Sequence, residues 1–286
     1  MLRFERPPRP KGFVRTVSPF AREVRKAIAK GMAPDFPEIW GQFKDQLCDA
    51  QRGKCGYCET FAMNHPAAVE HFAPKGDVHE LLEEGSEASS LFNVRGRVTA
   101  PISATGYYWL AYAWDNWLLA CERCNTGWKR SLFPVKEAPH PCPPAPDRPF
   151  TPLLLSPFGP LEPTEHLDFD SLGTIFPRGG SPQGEATIRT CGLHRESLRK
   201  AREGIAADAH RHIDRLLKAM AEEDPRTARN AVEDLLSLGS DPRAHAGMVR
   251  SIVRRKLKTS YSDLPVLAKK LAANAVKGSK RAGRRP

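Results

Sequence analysis

Asn116-Trp-Leu-Leu-Ala-Cys121-Glu-Arg-Cys124-Asn125-Thr-Gly-Trp-Lys129 packs an apolar strand, a Cys-x2-Cys knuckle and the start of a helix into fourteen residues. Upstream, Cys55-Gly-Tyr-Cys58 supplies a second Cys-x2-Cys. Two such pairs make the four-thiolate set, Cys55, Cys58, Cys121 and Cys124, that a structural zinc requires. Between the pairs lies Val69-Glu70-His71-Phe72, an acid and an imidazole side by side in an apolar strand. Taken alone, that pair also fits a core histidine beside an exposed acid. Framed by two Cys pairs and followed by Asn116 and Asn125, it reads as a site.

Composition sets the outer bounds. The 286 residues suffice for one large or two small domains with a buried core. No run of about 18 apolar residues predicts a membrane span. The start, Met-Leu-Arg-Phe-Glu-Arg-Pro-Pro-Arg-Pro-Lys, lacks the apolar centre of a signal peptide, so a cytoplasmic protein is expected. In a reducing compartment the seven cysteines favour metal over disulfide use, with Cys48, Cys142 and Cys191 left as packing residues. A formal charge of +11 suits a polyanionic partner but names none.

Along the chain, residues 1–54 hold a basic arm and N-terminal helices. Arg3, Arg6, Arg9, Lys11 and Arg15 among prolines predict an extended arm, on phosphates or a partner, or a solvated terminus. Ser18-Pro19 then opens one helix that stops at Gly31, and a second runs from Asp35 to Gly53. Residues 55–136 form the zinc-stapled core, with an insertion loop at 76–106 whose acids are Glu80, Glu83, Glu84 and Glu87, ahead of Arg95 and Arg97. That loop reads as a surface excursion or a flap over the site. Tyr107 to Trp114 is read as helical, either core or a base-stacking cluster. Residues 137–185 are a Pro/Gly-rich linker with short strands at Leu167–Phe169 and Gly173–Phe176. Residues 186–276 form a helical subdomain suited to docking a partner or holding nucleic acid, and 277–286 a basic tail.

Cys55-x2-Cys58-Glu59, Glu70-His71-Phe72-x-Pro74-Lys75, Tyr108-Trp109-Leu110-Ala111-Tyr112-x-Trp114-x-Asn116 and Cys121-x2-Cys124-Asn125-x3-Lys129 together resemble the HNH, or ββα-metal, nucleases. Within that group they are similar to those of Septu-type (PtuB-like) and retron-associated phage-defence systems. The resemblance implies an α+β, mainly helical fold around a ββα-metal HNH core stapled by the four-cysteine zinc. It also implies His71 as general base, Glu70 and Asn125 as ligands of a catalytic Mg²⁺ or Mn²⁺, and Asn116 as the residue that orients the His71 loop. Lys75 and Lys129 would meet phosphate, and Glu59 would be a supporting residue. Two departures stand out: Glu70 replaces the usual Asp, and Asn125 the usual His. Both keep oxygen donors, which favours Mg²⁺ or Mn²⁺ over a soft metal.

The expected activity is endonucleolytic cleavage of DNA in anti-phage defence, beside a PtuA-like ATPase, with homo-oligomerisation left open. Two other readings stay open: the same chemistry on RNA or tRNA, since nothing in these residues rejects a 2′-hydroxyl, and a non-catalytic zinc-stapled adaptor that binds nucleic acid or the ATPase.

Overall fold

A computed structural model describes residues 1–62, 67–79, 81, 102–103, 105–137, 150–271 and 273. The acidic part of the expected insertion loop, Cys142 and the basic tail lie outside the described residues. In chain order the elements are α1 (Phe13–Ala29), α2 (Lys44–Ala50), β1 (Ala67–His71), β2 (Trp117–Cys121), β3 (Leu167–Phe169), β4 (Ile175–Pro177), α3 (Pro182–Thr190), α4 (Glu196–Ala221), α5 (Pro225–Leu238) and α6 (Ala246–Leu257). Short 3₁₀ turns connect several of them, and one π-helical turn, Arg123–Lys129, follows β2. The fold is mixed and mainly helical. Among the described residues no helix is long and apolar enough to cross a membrane.

Both sheets are antiparallel pairs. In the first, Ala67 faces Cys121 and His71 faces Trp117. All five residues of β2 are buried, so this strand runs through the core rather than along its edge. On one side lies an aromatic cluster in which Phe13 meets Phe43, Trp114 and Trp117 edge-on at 5.0, 5.6 and 5.3 Å. On the other, a continuous apolar cluster runs from Cys55 and Tyr57 through Leu118 and Leu155 to Ile213, Leu235 and Val253. Each fully buried Leu or Ile there contributes roughly 1.5–3 kcal/mol.

Local details depart from the sequence reading. α1 opens at Phe13, behind a left-handed Gly12 (φ 78°), and not at Ser18. Phe13 and Val17 are core residues, and burying them draws the helix start back by more than a turn. Pro19 sits inside, forgoing one helical bond, and Ser18 Oγ donates to the Val14 carbonyl at 2.6 Å instead of capping. The second helix starts as a 3₁₀ turn at Ile39, because Pro37 disfavours helical geometry before it. Tyr107 to Trp114 holds short 3₁₀ turns rather than one helix.

The N-terminal segment is irregular but packed. Met1, Leu2 and Phe4 are buried. Arg6 donates to the carbonyls of Trp114, Trp117 and Asp115 at 2.8–3.0 Å, so this cation is committed to protein and not to phosphate. The end of the Pro-rich stretch is also packed rather than wrapped over the surface: Leu154 and Leu155 are buried, and Leu155 N–H donates to Thr187 Oγ1 at 2.8 Å. Three consecutive leucines outweigh the neighbouring prolines. Finally, Gly192 (φ +58°) breaks the long C-terminal periodicity, so α4 starts at Glu196.

Candidate functional site

The four cysteines of the two knuckles converge. Their sulfur atoms all lie within 4.8 Å of one another, each residue is buried, and Cys58 Sγ is 3.8 Å from Cys121 Sγ. A tetrahedron with Zn–S bonds of about 2.3 Å has S···S edges of about 3.8 Å, whereas a disulfide needs about 2 Å. The donor set therefore fits a zinc ion. The first knuckle is shaped by the Cys55 N–H to Thr60 carbonyl bond (2.9 Å), the Glu59 N–H to Cys55 carbonyl bond (3.0 Å) and a left-handed Glu59 (φ 62°). Gly56 N–H donates to the Leu119 carbonyl at 2.9 Å, and a Cβ there would lie 2.8 Å from Pro157 Cγ. Arg195 Nη2 donates to Cys124 Sγ at 3.4 Å, bringing a cation to a cluster that is anionic when thiolate.

β1 leads from this centre into an open cleft of about 590 Å³. Glu70, His71, Lys75 and Asn125 all line it. The cleft is therefore built from the end of β1, the loop after it and the π-helical turn after β2. That turn is closed by two i→i+5 bonds, Glu122 carbonyl to Gly127 N–H and Asn125 carbonyl to Arg130 N–H. π-turns are rare and concentrate at functional sites.

His71 is fixed by its surroundings. Its Nε2 lies 2.8 Å from the Ala111 carbonyl, which can only accept. The proton therefore sits on Nε2, and Nδ1 keeps the lone pair. Trp40 meets the ring edge-on at 4.8 Å. Burial and then the nearby Lys75 push the imidazole down to about 3, so it is neutral at ordinary pH. Asn116 holds the next stretch of chain. Its Oδ1 accepts from Ala73 N–H at 2.8 Å, and its Nδ2 donates to the Ala73 and Leu110 carbonyls at 2.9 and 3.1 Å.

Glu70 is 4 % exposed, and burial raises its carboxyl while Lys129 opposes that rise. Lys129 Nζ is 2.5 Å from Glu70 Oε1 and donates to the His71 carbonyl at 3.1 Å. Lys129 is fully buried, so in this conformation it braces β1 and does not face a phosphate. Lys75 is half-buried, its ammonium 4.6 Å from the Trp40 ring centre.

Glu59 lies away from the cleft. It is buried and paired with the Met1 ammonium (2.9 Å) and Lys54 (3.6 Å), and it accepts from Gly247 N–H at 3.1 Å. Burial works to raise its carboxyl, but these partners together bring it to about 2. Glu59 thus ties the knuckle to α6.

Residues not singled out from sequence also line the cleft: Phe36, Trp40, Asp77, His79 and Arg130. His79 is buried, with Nδ1 2.8 Å from Ser131 Oγ and 3.5 Å from Asp77 Oδ2. Its only sequence signal is the short alternation Asp77-Val78-His79, too brief to mark a strand. Among the described residues the four cysteines are the one group of three or more His, Cys, Asp or Glu side chains close enough to hold a metal.

No family model matches the chain, and no solved structure matches it. Among curated proteins it is similar to the Septu protein PtuB of Bacillus mycoides (strain KBAB4), 36% identical over 167 residues, which is 58% of this chain and 51% of that protein. The chain thus spans about half the length of the curated relative it matches. Along those 167 residues the chain is similar to this Septu protein, in keeping with the resemblance carried by its paired cysteines and Glu-His strand.

Proposed function

We propose that the chain is a metal-dependent phosphodiesterase of the HNH type that cuts DNA in anti-phage defence beside an ATPase partner. The observation that carries this is the convergence of Glu70, His71, Lys75 and Asn125 on one cleft, with His71 held as a neutral imidazole whose Nδ1 is free to take a proton. β1, β2 and the π-helical turn would be its ββα unit.

Hydrolysis needs an activated water, charge stabilisation at phosphorus and a stabilised leaving oxygen. His71 Nδ1 removes the proton from water. Asn116 fixes the backbone that follows His71, and Ala111 fixes the ring, so the base is aimed before substrate arrives. Glu70 and Asn125 offer oxygen donors to Mg²⁺ or Mn²⁺, hard ions that keep several waters and substrate oxygens and so need few protein ligands. Such an ion would act as the Lewis acid for phosphate and leaving group. Lys75, at the cleft wall, would meet a phosphate.

The defence role and the ATPase partner rest on the likeness to the Septu protein. A second reading, a zinc-stapled adaptor without chemistry, is favoured by one observation: Glu70 is already neutralised by Lys129. Incubating wild type and His71→Ala with supercoiled plasmid and with total tRNA, with Mn²⁺ or EDTA, separates the readings. Metal-dependent plasmid cleavage lost in the variant supports the DNA nuclease, and tRNA cleavage moves the substrate to RNA. Silence on both, with the ATPase added, leaves the adaptor.

A further inference from the structure

A carboxylate that is to serve a divalent ion should present its oxygens to the cleft, yet Glu70 is engaged from within the protein. Lys129 reaches it from the π-helical turn, with Nζ 2.5 Å from Oε1, and also donates to the His71 carbonyl at 3.1 Å. The lysine is fully buried, so this ammonium cannot be a solvated surface charge that happens to lie close. Lys75, the other cation of the cleft wall, is drawn instead to the ring of Trp40 and does not pair with Glu70. A divalent ion bound to the same carboxylate would sit about 2.0–2.2 Å from an oxygen. It would then share that carboxylate, itself 4 % exposed, with an ammonium on Oε1, and like charges so close repel strongly.

We infer that Lys129 is a built-in cation that occupies the divalent-metal position at Glu70 in the resting protein, so that metal loading requires the ammonium to leave the carboxylate. This rests on the metal-dependent reading above and assigns Lys129 a positioning and gating role rather than phosphate contact. It accounts for an otherwise costly feature: a buried acid has a cationic partner without metal, and the strand carrying His71 is braced meanwhile.

The test measures Mn²⁺ binding to zinc-loaded protein at pH 8 by loss of the free Mn²⁺ paramagnetic signal, with circular dichroism as the check of folding. Lys129→Met removes the charge at nearly constant volume, Lys129→Gln is a second neutral variant should the first fail to fold, and Lys129→Arg keeps a cation. Expected are at least tenfold tighter Mn²⁺ binding in the neutral variants, wild-type behaviour in Lys129→Arg, and loss of the site when Glu70→Gln is added to either background. Equal or weaker binding by the neutral variants, with Glu70→Gln still abolishing the site, overturns this inference alone. No Mn²⁺ binding by wild type or neutral variants overturns it together with the metal-dependent reading.

Discussion

Lowering the pH should destabilise the protein through His245 before it reaches the carboxylates. His245 is 4 % exposed, and burial, then the charge of Arg202, hold its imidazole down at about 4, against 6.5 for the free group. The folded chain thus resists a proton that the unfolded chain accepts. Stability is fully present above pH 6.5 and is lost as the pH falls from 6.5 towards 4. Between pH 7.5 and 5.5 the loss from this one group is about 1.4 kcal/mol, added to the losses from the zinc thiolates and the other buried imidazoles. The clean perturbation is His245→Asn. His245 is left-handed (φ 54°), and Asn is the non-glycine residue that best tolerates that region, so the backbone is kept while the titrating ring is removed. Urea unfolding of zinc-loaded protein at pH 7.5, 6.5 and 5.5 reads the result. The variant should lose about 1.4 kcal/mol less than wild type over that range, and an unchanged slope would refute the assignment of a buried neutral ring.

Stripping zinc with a strong chelator should unfold at least the knuckles and the β1–β2 pair, since structural zinc contributes about 10–16 kcal/mol in small zinc modules, comparable to a whole domain's stability. A melting temperature unchanged by metal removal, followed by circular dichroism, sinks this. Gly192→Ala places a methyl 1.9 Å from Trp128 Cδ2 at a left-handed position. It should cost at least about 2 kcal/mol in urea unfolding, and a loss near zero means that Trp128 moves freely. Asn116→Ala orphans the buried Ala73 N–H and carbonyl and should cost about 2–3 kcal/mol. It should also speed hydrogen exchange at the Ala73 amide, and unchanged exchange there tells against the clamp. Glu59→Ala leaves Lys54 buried and unpaired and should cost about 3–5 kcal/mol, with denaturation midpoints equal to wild type as the contrary result.

What could be read from sequence was whatever chemistry fixes by residue type. Paired cysteines can hold a metal only if they meet, and they do meet. An apolar strand flanking each pair predicts a sheet beside the metal, and β1 pairs with β2 in register up to Cys121. β3 and the stop of α1 at Gly31 follow from local patterns of the same kind. What was not legible depends on distant partners. Nothing local in Phe13-Val14-Arg15-Thr16-Val17 announces a helix start, because the reason is the aromatic cluster of Phe43, Trp114 and Trp117 far along the chain. Trp40 and Phe36 reach the cleft wall from before the first knuckle, and only the folded chain shows this.

Lys129 illustrates the limit most sharply. A lysine one turn after Asn125 in a basic protein reads naturally as a phosphate ligand, and on an ordinary α-helix it would stack on the same face as residue 125. The turn is instead π-helical, with wider i→i+5 closure at Gly127 and Arg130. Asn125 lines the cleft, whereas Lys129 is fully buried, its ammonium against Glu70. The same turn starts within the second zinc knuckle and is held from outside by Arg195 on Cys124 and by the packing of Trp128 on Gly192. The zinc staple and the α3–α4 junction therefore hold the two ends of the turn that carries both Asn125 and Lys129.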